Sequence, residues 1–144
     1  MPFLNRLSAL ILATALPALA PFAAQAQETT LGVELNKTEE IETGGCRAFF
    51  LFRNQTGKSF EAFEMSLAIL DAGGVIDRLL SINAAPLPVK RTTLKLFEIP
   101  DIACADISEM LLHDLPACTP QNEEPMDCFP LLSLSSHADA QLVQ

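Results

Sequence analysis

The sequence is poor in basic residues. Its 144 residues include nine Lys and Arg against 18 Asp and Glu, which gives a formal charge of −9. Binding to phosphates depends on a positive surface, so this balance argues against nucleic acid as a partner. Anionic membrane surfaces are disfavoured for the same reason.

Signatures of several catalytic and metal-binding sites are also missing. No two cysteines have the C-x-x-C spacing, so neither a thioredoxin-like redox pair nor a zinc knuckle is indicated. The serines within 133–136 precede His137, but no G-x-S-x-G elbow surrounds them. The acidic segment 122–124 with Asp127 lacks the glycine-punctuated spacing of a calcium loop. We therefore expect a non-enzymatic protein without a cofactor.

The N-terminal segment has the order of a cleavable secretory signal. Arg6 precedes the apolar run 7–20, and small residues follow, ending at Ala26. A membrane-spanning helix needs about 20 unbroken apolar residues, whereas this run is shorter and contains a proline. We expect a signal peptide at 1–26 and one mature domain at 27–144, with no membrane span after cleavage.

The mature part is small and acidic. Removing 26 of 144 residues leaves 118, which is the length of one domain, with 8 basic and 18 acidic residues and a formal charge of −10. All four cysteines, Cys46, Cys104, Cys118 and Cys128, lie in it. An even count in an exported chain is the usual mark of a disulfide framework, so we expect a periplasmic or secreted protein.

Short apolar runs separated by turn residues favour strands over helices. The clearest run is 62–69, in which Phe63 and Met65 begin one apolar face that alternates with a more polar one. The run 47–53 is apolar on both faces, which predicts a central strand buried on both sides or nearly so. The segment 107–113 is ambiguous, and we interpret it as a strand after a turn of helix. The predicted strands are 31–35, 47–53, 62–69, 75–82, 92–99, 107–113 and 132–142.

About seven strands with turns every 8 to 12 residues predict an all-β, immunoglobulin-like β-sandwich. Spacing alone permits three pairings of the four cysteines. If consecutive strands run antiparallel, Cys46 before the second strand and Cys104 after the fifth lie at the same end of the sandwich. Cys118 and Cys128 then flank a loop at the other end. We therefore predict Cys46 with Cys104 and Cys118 with Cys128.

Short motifs cover most of the mature domain from Cys46 to Leu134. They are Gly45-Cys46-Arg47, Asn54-Gln55-Thr56-Gly57, Leu70-Asp71-Ala72-Gly73-Gly74-Val75-Ile76, Pro86-Leu87-Pro88, Leu96-Phe97-Glu98-Ile99, Cys104, Leu111-Leu112-His113-Asp114, Cys118, Cys128 and Leu134-Ser135-Ser136. In their order they resemble a family of short exported bacterial proteins labelled "Tat pathway signal sequence domain protein", whose function is not established. That family implies export and offers no catalytic residue. With Arg6 alone instead of paired arginines, the leader here is similar to a general secretory signal.

A looser similarity connects this chain with FxLYD-type sandwich domains. It rests on Leu67-Ala68-Ile69-Leu70-Asp71 and the glycines that follow. The resemblance implies the sandwich fold and nothing about function.

Two hypotheses about function remain at this point. Phe49, Phe50 and Phe52 fall on opposite faces of one strand, so an aromatic side chain is expected on the surface, where it would contact an envelope protein or component. The alternative is a small periplasmic copper-binding protein, because thioether and imidazole groups are soft ligands. Its candidate ligands are Met110, His113, Met126 and His137.

Overall fold

The computed structural model describes residues 29–144, and the signal peptide predicted at 1–26 lies outside the described residues. Eight strands account for most of this part of the chain, together with two short 3-10 turns at Cys104–Asp106 and Phe129–Leu131. The strands are β1 (Leu31–Glu40), β2 (Gly45–Asn54), β3 (Phe60–Asp71), β4 (Ile76–Asn83), β5 (Thr92–Pro100), β6 (Ile107–Pro120), β7 (Leu132–Ser136) and β8 (Gln141–Val143).

The strands form two four-stranded sheets. The first has the order β5-β2-β1-β7 and the second β4-β3-β6-β8. Neighbours within each sheet are antiparallel, except that β7 runs parallel to β1 and β8 parallel to β6. The predicted β-sandwich is confirmed. It arises because each sheet has one apolar face, and the two faces bury each other.

Phenylalanine rings dominate the contact between the sheets. Phe50 and Phe52 of β2 are fully buried, and Phe60 and Phe63 of β3 are each only 1% exposed. The ring centroids of Phe52 and Phe63 lie 6.1 Å apart in an edge-to-face arrangement. Burial of each such side chain contributes about 1.5–3 kcal/mol relative to exposure. The core therefore depends on the alternation in β2 and β3 that places these rings on the inner faces.

The prediction that 47–53 is buried on both sides or nearly so holds for one face of the strand only. β2 is central, lying between β5 and β1, and its inward side chains are buried as expected. Phe49 and Leu51 point the other way and are only half-buried. In a two-layer sandwich, only one face of each sheet is covered, so an apolar residue on the outer face remains partly in water.

The predicted final strand at 132–142 is also wrong, because the chain there forms two strands in different sheets. β7 pairs with β1, whereas β8 pairs with β6. Between them, the hydroxyl of Ser136 accepts a hydrogen bond from the Ala138 amide (3.2 Å) and donates to the Ala140 carbonyl (2.6 Å). These bonds stabilise a local turn, as serine hydroxyls often do. The alternation that continues through this turn conceals the break.

The segment predicted at 107–113 is a strand preceded by a single helical turn, as expected, but the strand continues to Pro120. Pro116 therefore lies inside β6. The pairing register with β3 shifts between Glu64 and Ser66, so a bulge interrupts the ladder at this point. Proline has no amide hydrogen and would leave a gap in a continuous ladder. It is tolerated here because the bulge already interrupts the ladder.

Two disulfides, Cys46–Cys104 and Cys118–Cys128, join the same cysteines that the topology argument paired. Cys46, the second residue of β2, lies opposite Ile99 of β5, and Cys104 follows β5 in the chain. No cysteine of residues 29–144 is free. The first bond closes a loop of 58 residues and the second a loop of 10.

The difference in loop length predicts the effect of removing each bond. On the chain-entropy model, replacing Cys46 and Cys104 by alanine lowers the free energy of unfolding by about 4 kcal/mol, and replacing Cys118 and Cys128 lowers it by about 3 kcal/mol. Urea denaturation of the two double variants measures both values. A larger loss for the 118–128 pair would contradict this ranking.

Candidate functional site

The outer face of the first sheet carries four apolar side chains in register. Phe49 of β2 is paired with Leu96 of β5, and Leu51 is paired with Leu94. Leu94 and Leu96 are 54% and 49% exposed. We call these four residues the apolar patch. They form a compact two-by-two block, because paired residues on one face of a sheet lie within about 5.5 Å of each other.

Ion pairs border the apolar patch on both sides. Arg47, the next outward residue of β2, is bonded to Glu98 of β5 at 2.7 Å. At the other side, Arg53 is bonded to Glu34 of β1 at 3.1 Å. The ammonium group of Lys37 lies 4.4 Å from the centre of the phenylalanine ring in the patch, a cation–π contact. The patch is thus an apolar centre with a rim of both charge signs.

Glu34 is the most enclosed carboxylate of this rim. It accepts hydrogen bonds from Asn36 (2.7 Å) and Arg53 (3.1 Å), and His137 lies 3.8 Å away. The bond from Asn36 lowers the pKa of Glu34, burial opposes that effect, and Arg53 lowers the pKa further; the net result is a pKa below the ordinary value. Glu34 therefore remains ionised at neutral pH and keeps the Arg53 guanidinium in place.

A basic cleft of about 850 Å³ opens at the end of the same sheet, where β2 ends and β5 begins. It is lined by Thr29, by residues 53–57 and by residues 89–92. Three of these residues, Arg53, Lys90 and Arg91, are cationic. Gly57 leaves open space in front of its backbone, since a Cβ built there meets no atom within 4 Å.

Asn54 fixes the walls of the basic cleft. This residue is only 2% exposed. Its amide group donates to the carbonyls of Lys58 (2.8 Å) and Leu87 (3.0 Å), and its side-chain oxygen accepts from the hydroxyl of Thr56 (2.6 Å). Its backbone amide donates to the Arg91 carbonyl at 3.0 Å. The turn after β2 and the segment before β5 are therefore tied to one buried side chain.

The structure does not bring the candidate copper ligands together. Met110 is fully buried on the inner face of β6, whereas His113 is exposed on the outer face of the same strand. Met126 lies in the loop before the second 3-10 turn, and His137 lies beside Glu34 of the first sheet. Residues 29–144 contain no group of three or more His, Cys, Asp or Glu side chains arranged to hold a metal ion.

One polar pair was not evident from the sequence. The hydroxyl of Ser66 on β3 lies 2.8 Å from Nε2 of His113 on β6. The two residues are 47 positions apart and are brought together only by strand pairing, so no spacing motif could have revealed them. Within the described residues, no carboxylate hydrogen-bonds to His113, and the neighbouring Asp114 accepts from the Leu115 amide instead. The pair therefore lacks the third group that orients a catalytic histidine.

A second exposed apolar group lies on the other sheet. Val75, immediately before β4, and Leu79 within it are 64% and 63% exposed, and Ile76 is 57% exposed. Among the described strands, β4 is an edge strand with β3 as its only neighbour in the sheet. We call Val75 and Leu79 the edge pair. They offer a matched comparison for the apolar patch, because their exposure is similar and their position is different.

Comparisons with known proteins show the fold and go no further. No family model matches the chain, and no curated protein matches it. Among solved structures, IrmA from Escherichia coli is similar, with a TM-score of 0.56 over 73% of this chain and 90% of that one, at 12% sequence identity. At that identity the likeness supports the sandwich fold alone. In the part of the chain that the structure describes, no helix is long and apolar enough to cross a membrane.

The role of Asn54 predicts a large loss of stability on its removal. Asn54→Ala leaves buried carbonyls and the Thr56 hydroxyl without a partner, which costs about 3 kcal/mol. Asn83→Ala is the matched control, because Asn83 is exposed and accepts a single bond from the Ala85 amide; its expected cost is below about 0.5 kcal/mol. Urea denaturation measures both, and equal losses would contradict the role assigned to Asn54.

The lowered pKa of Glu34 predicts an acid-dependent contribution to stability. The ionised form is stabilised in the folded state, so its contribution is complete above the ordinary pKa of about 4.5 and is lost as the pH falls through the lower folded value. Glu34→Gln should therefore be less stable than wild type at pH 7, and the difference should shrink towards pH 3. Urea midpoints at the two pH values test this, and a constant difference would contradict it.

Proposed function

We propose that this protein is an exported, non-enzymatic binding module that recognises a protein partner in the cell envelope or outside the cell through the apolar patch. The observation that carries the proposal is the block formed by Phe49, Leu51, Leu94 and Leu96 on the outer face of the first sheet. The two disulfides of the protein, and the absence of a membrane-spanning helix from residues 29–144, are compatible with a location in the cell envelope or outside the cell. The motifs from Cys46 to Leu134 support its assignment to the exported family that they resemble.

The composition of the patch suits a protein partner. Protein interfaces combine an apolar centre, often with an aromatic residue, with a polar rim that still contacts water. Here the centre contains Phe49, and Arg47–Glu98 and Arg53–Glu34 supply the rim. Because all these residues except Glu34 lie on the two paired strands β2 and β5, their positions are fixed before a partner binds, and less entropy is lost on association.

Charge also favours a protein over a membrane as the occupant. The mature chain has a formal charge of −10, which repels anionic lipid surfaces. The face around the patch is locally balanced, because Arg47, Arg53 and Lys37 are each paired with a glutamate there. A partner with an apolar centre and charges of both signs is therefore complementary to this face, whereas a negatively charged bilayer is not.

Replacing two leucines tests the patch. Leu94→Ser with Leu96→Ser should weaken partner binding at least tenfold, since each residue would bury an apolar side chain in the interface. Val75→Ser with Leu79→Ser, on the edge pair, should change binding less than twofold. To identify the partner, a photoreactive group is placed at residue 96 or at residue 79 of the exported protein, which is then cross-linked in envelope extract. The protein captured in this way is purified by itself, and its affinity for wild type and for each double variant is measured.

Four outcomes would overturn the proposal. The purified partner could bind both double variants equally, or only the edge-pair variant could lose affinity. The Leu94 and Leu96 changes could instead alter only the self-association of this chain in sedimentation, which would make the patch an interface between copies. Binding to anionic vesicles that is lost with the same two changes would indicate a lipid surface.

A further inference from the structure

We infer that the basic cleft is a binding site for a small ligand carrying phosphate or carboxylate groups. The cleft goes beyond the docking role proposed for the apolar patch, because it is concave, lined by cations and large enough for a small molecule. Its volume of about 850 Å³ lies within the usual range of ligand sites, roughly 300–1,000 Å³. Three cations line it, so the expected ligand carries more than one oxyanion group.

The charges of the cleft are the first argument. Residues 29–144 contain eight Lys and Arg side chains, and five of them form ion pairs with acidic residues. Lys95 donates instead to the Ala85 carbonyl. Lys90 and Arg91, which are consecutive and both line the cleft, form no ion pair within residues 29–144. In so acidic a protein, two neighbouring cations without an acidic partner leave this location complementary to an anion.

The backbone at Lys90 is the second argument. Its φ angle is +57°, in the left-handed region that residues with a side chain rarely adopt. Glycine would adopt this conformation without strain, yet a lysine occupies this position in the lining of the cleft. Strain of this kind is common at ligand sites, where a side chain is needed in a particular place. The turn alone would favour glycine at 90, whereas the lysine adds a positive charge to the lining of the cleft.

The geometry of the walls is the third argument. Arg53 is held by Glu34 on the side of the patch, and Asn54 ties both walls to the core. Arginine binds the two oxygens of a carboxylate or phosphate with parallel N–H groups, and the open space in front of Gly57 leaves its backbone accessible. The site therefore has three cations on fixed strands and loops around an accessible volume.

Calorimetry on the exported, oxidised protein tests the site with pyrophosphate and citrate at low salt, and again at high salt. We expect binding of at least one of them that weakens with salt and falls at least tenfold in Lys90→Gln with Arg91→Gln. Lys37→Gln with Lys58→Gln is the matched control, because it removes the same charge from two ion-paired residues outside the cleft lining, and it should change affinity less than threefold. Lys90→Gly should also weaken binding, with an unchanged or raised urea midpoint.

Gly57→Leu separates the cleft from general charge attraction. It places a side chain in the open volume without altering charge, so it should abolish binding while the urea midpoint remains the same. Vesicles of phosphatidylglycerol distinguish the source of the anion: binding that follows the same variants identifies a lipid headgroup, and binding of pyrophosphate or citrate alone identifies a free ligand. No binding of either soluble anion, equal losses in the two double charge variants, or full binding by Gly57→Leu would overturn the inference.

Discussion

The packing of phenylalanine rings between the two sheets is the interaction on which the rest of the structure depends. Phe52 from β2 meets Phe63 from β3 across the sandwich, and Phe50 and Phe60 lie beside these two rings on their own strands, with ring centroids about 6 Å apart in each pair. The chain has no tryptophan or tyrosine, so these large core residues bring no polar atom that needs a partner. Within the described residues, no buried side-chain nitrogen or oxygen lacks a hydrogen bond. A core of this kind fixes the position of β2 in its sheet, and with it the register of β1 and β5.

That constraint also decides what faces the solvent. Successive side chains of a strand point to opposite faces, so burying Phe50 and Phe52 forces Phe49 and Leu51 outward. The sandwich has only two layers, and no third layer of the described chain covers this outer face. Polar residues at these positions would satisfy the fold equally well, yet the sequence places apolar ones there and pairs them with Leu94 and Leu96. Such departures from the pattern that a fold requires are expected at functional positions.

The sequence was most informative where one local rule decided the structure. Alternation in 62–69 located β3, and the antiparallel order of strands located the ends at which the cysteines meet. It was least informative where a distant contact decided the outcome. The hydroxyl of Ser136 breaks a run that alternates without interruption, and the bulge opposite Glu64 lets β6 continue through Pro116. The basic cleft escaped prediction because residues 53–57 and 89–92 are separated in the chain and are brought together only by the pairing of β2 with β5 and by the hydrogen bonds of Asn54.

Register then relates the two proposed sites to each other. Along β2, the outward residues are Arg47, Phe49, Leu51 and Arg53, which are paired with Glu98, Leu96, Leu94 and Thr92 of β5. The order is therefore charge, apolar, apolar and charge, and the cleft follows beyond Arg53. From Leu51, the patch residue nearest the cleft, to Arg53 the strand rises about 7 Å, at about 3.3 Å per residue. A protein bound over the patch would thus approach the mouth of the cleft, within roughly one Debye length at physiological salt. An oxyanion in the cleft would reduce the local positive charge that the partner meets, so the two sites would influence each other through electrostatics without any change in the fold.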